Sequence, residues 1–150
     1  MKKGFTLVEM LAVIVVLGLL ALIAIPTVLN KIKSTKEDLY DNQIEMIKSG
    51  ATNYVTDQVS HLKSDFNFYT AITTHTATTV DISLNDLQLG GFLEKNISNP
   101  LCDGEDKYFS PTETKIKIKY DGKEFSYEVF STSNLRESCT AKIDRGINLE

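Results

Sequence analysis

Apolar and polar residues are unevenly spread along this chain. Lys2, Lys3 and Gly4 precede an apolar run from Phe5 to Leu29, in which Glu9 is the one charged residue. A helix of about 25 residues is about 37 Å long, enough to cross a bilayer with some tilt. A carboxylate one turn into such a segment carries a desolvation cost and marks a functional position by default. A cleaved secretory signal has a shorter apolar core followed by a small-residue site. Here the run continues through Ile23, Ala24 and Ile25 into Pro26 without one. Lys2 and Lys3 favour a cytoplasmic N-terminus, although Lys31, Lys33 and Lys36 beyond the run make the charge rule only mildly decisive. Pro26 is expected to kink the helix by removing a backbone hydrogen bond, and Gly18 to loosen it.

From Asn30 the pattern becomes amphipathic. Leu39, Tyr40, Ile44, Ile47, Ala51, Tyr54, Val55 and Leu62 recur at spacings of three and four, with Lys36, Asp41, Glu45 and Lys48 on the other face. The spacing predicts one helix from the leader end to about residue 62, tolerating Gly50 inside it. The threonine-rich stretch 70–81 reads as an irregular connection leading off the helix, with a short strand as the alternative. Ser83 to Gly90 reads as a short helix with Ser83 as N-cap and Gly90 or Gly91 as its stop. Phe92 and Leu93 follow as core anchors, and Asn99-Pro100 as a turn.

Residues 115–131 give the strongest tertiary signal. Asp121-Gly122 predicts a type I′ turn between two alternating runs, pairing Tyr120 with Lys123. Ile118 would then face Phe125 and Ile116 face Tyr127, with Lys119 opposite Glu124 and Lys115 opposite Glu128 on the other face. The expected fold is α+β: a long N-terminal helix, its first half transmembrane, packed against a small antiparallel β-sheet head. The chain divides into a leader at 1–4, a membrane half at 5–29, an amphipathic half at 30–66 and a head at 67–150.

The stretch GFTLVEMLAVIVVLGLLALIAIP resembles the N-terminus of type IV prepilins and pseudopilins. In that family a membrane peptidase cuts after a glycine and methylates the amine of the next residue. The resemblance places cleavage between Gly4 and Phe5 and methylation on Phe5. It makes Glu9 the family's acid, Gly18 its helix-loosening glycine and Pro26 its first-helix proline. It covers about 25 residues of the chain, and its leader of four is shorter than many. It implies a single-pass membrane precursor with a cytoplasmic N-terminus that later joins an extracellular filament with other pilins, as a homo- or heteropolymer. The implied partners are a prepilin peptidase, an assembly ATPase and a membrane platform protein. Glu9 lies four residues from the new N-terminus, so the carboxylate of one subunit can neutralise the amine of a neighbour and set axial register.

Charge narrows the function. Net charge is −4; with Lys2, Lys3 and Glu9 set aside, 14 basic and 19 acidic side chains remain, a balance of −5. That argues against nucleic-acid binding by bulk electrostatics, so DNA is a possible partner without support from net charge. A subunit of adhesive or motility pili and a minor pseudopilin of a competence pseudopilus both stay open. So does a plain membrane-anchored binding domain. Export would permit Cys102 and Cys139 to form a disulfide around about 36 intervening residues, worth roughly 3–4 kcal/mol. His61 and His75 have no metal-ligand spacing with each other or with the cysteines. Asp103, Glu105 and Asp106 lack the alternation of a calcium loop. Asn96-Ile97-Ser98 fits a glycosylation sequon of little weight in a bacterial setting. No phosphate-binding loop, metal quartet or nucleophile motif occurs, so neither catalysis nor a metal or other cofactor is expected.

Overall fold

The computed structural model describes residues 4–60, 68–102, 107–132, 135 and 139–140. Its longest element is helix α1 (Leu7–Ser60), 54 residues without a break at Gly18, Pro26 or Gly50. The chain falls into two compact units, Met1–Asp38 and Leu39–Glu150. The first consists of the N-terminal part of α1. It is apolar enough to cross a membrane, and no residue of its most apolar 18-residue window is buried.

In the second unit α1 buries Tyr40, Ile47, Gly50, Ala51 and Val55, with Ile44 and Tyr54 half-buried beside them. These positions follow the helical period and match the expected stripe apart from Leu39. That residue is 47% exposed and shares its face with Met46, seven positions on, at 42%. Leu62 lies outside the described residues. Gly50 proves to be a packing requirement, since a Cβ there would overlap the side chain of Leu93.

The threonine-rich segment is more ordered than its composition predicts. It contains a short helix α2 (Tyr69–Thr74) and strand β1 (Thr78–Ser83). His75 closes α2 in the left-handed region at φ 52°, and the Thr76 N–H donates back to the Ala71 carbonyl at 2.9 Å. The strand forms because Val80 and Ile82 alternate with Thr79 and Asp81, and because threonine suits a pleated, half-buried surface. Helix α3 (Leu84–Leu89) follows at once. The Ser83 hydroxyl accepts from Asp86 N at 3.2 Å, and Asp86 Oδ2 accepts from Ser83 N at 2.9 Å, a complete capping box. Leu84 and Leu87 point inward with no exposure.

Strands β2 (Tyr108–Phe109), β3 (Thr114–Tyr120), β4 (Phe125–Ser131) and β5 (Cys139–Thr140) complete the described elements. A three-stranded antiparallel sheet has the order β1-β3-β4, and β2 pairs with β5 in a second, small sheet. Three transverse rows form the core face of the larger sheet: Ile82–Ile116–Val129, Val80–Ile118–Tyr127 and Thr78–Tyr120–Phe125. Ile116 and Ile118 on the central strand are fully buried. On the outer face Lys117 lies between Asp81 and Glu128, with its ammonium 4.8 Å from the centre of the Phe130 ring.

The hairpin register differs from the expected one by two residues. Tyr120 pairs with Phe125 rather than Lys123, Ile118 with Tyr127 and Ile116 with Val129. The lysine–glutamate pairs change accordingly: Lys117 lies opposite Glu128, while Lys119 lies opposite Ser126 and reaches Glu128 diagonally at 4.0 Å. The cause lies in the turn. A type I′ turn on Asp121-Gly122 would need positive φ at both residues. Instead Gly122 alone of the two takes it, at φ 100°, and Asp121 begins a longer loop just after the last strand residue, Tyr120. Its Oδ1 accepts from Lys123 N at 2.8 Å and Glu124 N at 2.9 Å. Gly122 also approaches the His75 carbonyl so closely that a Cβ would sit 2.8 Å from the oxygen.

Candidate functional site

Residues 4–6 are not helical, and α1 begins at Leu7. Thr6 sets that boundary. Its N–H donates to Glu9 Oε2 at 2.8 Å and its hydroxyl to the same oxygen at 2.9 Å, while Glu9 N donates to the Thr6 hydroxyl at 3.3 Å. This is a second capping box, of the form Thr-x-x-Glu. The signature is readable in the sequence, yet the motif around Glu9 drew attention to intermolecular pairing and away from this local role. The open N–H groups of the first turn also favour an anion at this end of the helix.

Upstream of the cap, Gly4 has nothing within 4 Å of where a Cβ would stand, and Phe5 is 81% exposed. The Gly4–Phe5 bond therefore lies in open, non-helical backbone. Downstream, the apolar side chains project outward without partners among the described residues, as with Val8 at 74%, Ile14 at 67% and Ile23 at 72% exposure. Gly18 is likewise open on its Cβ side. At Pro26 the ring removes the N–H that would reach the Leu22 carbonyl. One residue on, the Thr27 hydroxyl donates to the Ala24 carbonyl at 2.8 Å. These residues form a bare apolar rod with a carboxylate tied into its first turn. Its length and apolar surface suit it to cross a membrane.

The other expected positions lie in the second unit or beyond the described residues. Cys102 is buried at 3% exposure, just after a turn in which its N–H donates to the Asn99 carbonyl at 3.1 Å. Cys139 opens β5, opposite Phe109. His75 is exposed and serves as the αL cap described above. His61, Asp103, Glu105 and Asp106 fall outside the described residues. Among the described residues, no group of three or more histidine, cysteine or acidic side chains could hold a metal ion.

Comparison with known proteins agrees with the geometry of the first turns. Residues 1–25 match the family model for the prokaryotic N-terminal methylation motif. The chain therefore carries the prepilin signature of type IV pilins and pseudopilins on an α+β, pilin-like fold. The matched motif covers the first 25 of 150 residues, and it is the signature carried by type IV pilins and pseudopilins. No curated protein and no solved structure matches the chain.

Proposed function

We propose that the chain is a structural subunit of a type IV pilus-like surface filament, cut after Gly4, methylated on Phe5 and polymerised through α1. One observation carries this reading. The methylation motif runs directly into a helix whose apolar side chains find no partner among the described residues. Before assembly these side chains are covered by lipid, with the N-terminus cytoplasmic and the head exported. In the filament they are covered by the same segment of neighbouring subunits. Glu9, released from Thr6, neutralises the Phe5 amine of a neighbour and fixes stagger, because an unpaired charge in that setting costs several kcal/mol. Gly18 and Pro26 are the positions at which the helix bends or loosens to fit the bundle. A prepilin peptidase, an assembly ATPase and a platform protein are the required partners, and the filament is a polymer of this chain alone or with other pilins.

Mass spectrometry of the native N-terminus tests the reading. A chain beginning at methylated Phe5 is expected, and an intact Met1 would sink it. Glu9→Leu should insert into the membrane normally and yield few filaments. The −5 balance of residues 30–150 gives no support to DNA uptake in a competence pseudopilus. Recovery from sheared filaments separates a major subunit from a minor one.

Within the head we propose a disulfide between Cys102 and Cys139. In support, Cys102 is buried, no described cysteine is a free thiol, and β5 begins at Cys139. Exported protein should resist thiol labelling until a reductant is added; full labelling of both cysteines beforehand would exclude the bridge.

A further inference from the structure

The charges that follow the apolar run of α1 are badly placed for pairing within their own helix. Lys31 and Lys33 lie N-terminal to Glu37 and Asp38, and all four are exposed. None of the four forms an ion pair with a described residue. At 3.6 residues per turn, Lys31 and Asp38 fall on one side of the helix, and Lys33 and Glu37 on roughly the opposite side. Lys33 and Glu37 stand in the poorer i,i+4 order, base before acid. Lys31 and Asp38 are about 10 Å apart along the axis, beyond easy reach. Further along, Glu45 and Lys48 stand acid before base and do pair, at 2.7 Å. Lys31, Lys33, Glu37 and Asp38 thus form two unsatisfied stripes, each basic at its N-terminal end and acidic at its C-terminal end, while Lys36 between them is partly buried and has a contact of its own.

We propose that these stripes pair with a second copy of this chain, lying parallel and displaced along the helix axis so that its lysines meet the first copy's acids. The four lysine–acid separations run from four to seven residues, which sets a displacement of roughly 6–10 Å. Zero displacement puts lysine beside lysine and acid beside acid, whereas displacement by this amount in either sense sets the lysines of one copy against the acids of the other. Like-charge contact of this kind is how helix bundles reject a wrong register. A displacement at the short end of this range also brings the Phe5 amine of one copy beside Glu9 of the other, again base before acid by four residues. The inference rests on the filament reading above and adds to it a second ionic register, outside the apolar run. Because the stripes occupy opposite sides, each copy can engage one neighbour on each side.

The test uses full-length protein, with filaments sheared from cells and their yield divided by the amount of subunit stored in the membrane. Lys31→Glu with Lys33→Glu makes both stripes wholly acidic, and Glu37→Lys with Asp38→Lys makes them wholly basic. Each double variant alone should give at least about tenfold fewer filaments than wild type, from like-charge repulsion. Expressed together, the two should copolymerise and recover most of the yield. Wild-type yields from both variants would overturn this proposal while leaving the filament reading intact. So would loss that co-expression does not restore. A loss confined to the lysine variant would assign those lysines to lipid phosphates and overturn it as well. An absence of filaments from the wild-type chain would overturn both readings.

Discussion

The two ends of α1 obey the same helical geometry and relate to their surroundings in opposite ways. Between Leu7 and Leu29 almost every side chain is apolar and exposed, whereas between Tyr40 and Val55 the apolar side chains are fewer and, Met46 apart, buried or half-buried. The second stretch finds its cover in the chain's own sheet, so its sequence is amphipathic and its role is to fold. The first finds none among the described residues, and its sequence is apolar all round. Hydrophobicity alone therefore does not identify a core. What separates the two stretches is whether the described head supplies a surface on which the apolar face rests.

Mutations at matched positions should widen this contrast. Ile47→Ala, at a fully buried site, should cost about 2–5 kcal/mol in urea unfolding of the detergent-solubilised chain. Ile14→Ala, at 67% exposure, should change that stability by less than about 0.5 kcal/mol. The glycines provide a finer comparison. Gly18→Ala has open space around it and should raise helix stability by up to about 1 kcal/mol. Gly50→Ala, despite the same gain in propensity, should destabilise by about 1–3 kcal/mol through overlap with Leu93. Adding Leu93→Ala should remove most of the overlap penalty, a coupling that a double-mutant cycle would read.

The smallest effect concerns pH and is confined to the head. The N–H groups of Glu124 and Lys123 hold the Asp121 carboxyl below its usual range. A depressed folded value means that this contribution is present above the unfolded pKa and disappears as pH falls through the folded one. Asp121→Asn should therefore flatten the acid limb of the stability curve while changing neutral stability little. Equal acid sensitivity in both proteins would show that the turn carboxylate is not the group responsible.

Much of this architecture was legible in the sequence, and the exceptions share a cause. The long helix, its buried stripe, the Ser83 cap and the presence of the hairpin each follow from local spacing. The register of the hairpin did not, because Asp-Gly satisfies a type I′ turn on paper while the Asp121 side chain offers the backbone another closure. Strand β1 was obscured because threonine-rich composition resembles a linker until β3 supplies a partner edge. Gly50 passed as merely tolerated because its reason, Leu93, lies some forty residues away. At the N-terminus the prepilin signature could be read directly. The hydrogen bonds between Thr6 and Glu9 could have been read too, since the capping box is a four-residue pattern.

The even offset of the hairpin bears on how this head can change over time. A shift of two residues left Phe125, Tyr127 and Val129 on the same side of the sheet and changed only their partners across the strand. Lengthening β4 by a pair of residues would preserve that parity. A single inserted residue would turn part of the strand over, bringing Ser126 or Glu128 against Ile118 and sending an aromatic ring outward. The head can therefore vary in length at this point in steps of two, whereas an odd step would have to be absorbed in the turn, where Gly122 already lies against the carbonyl of His75.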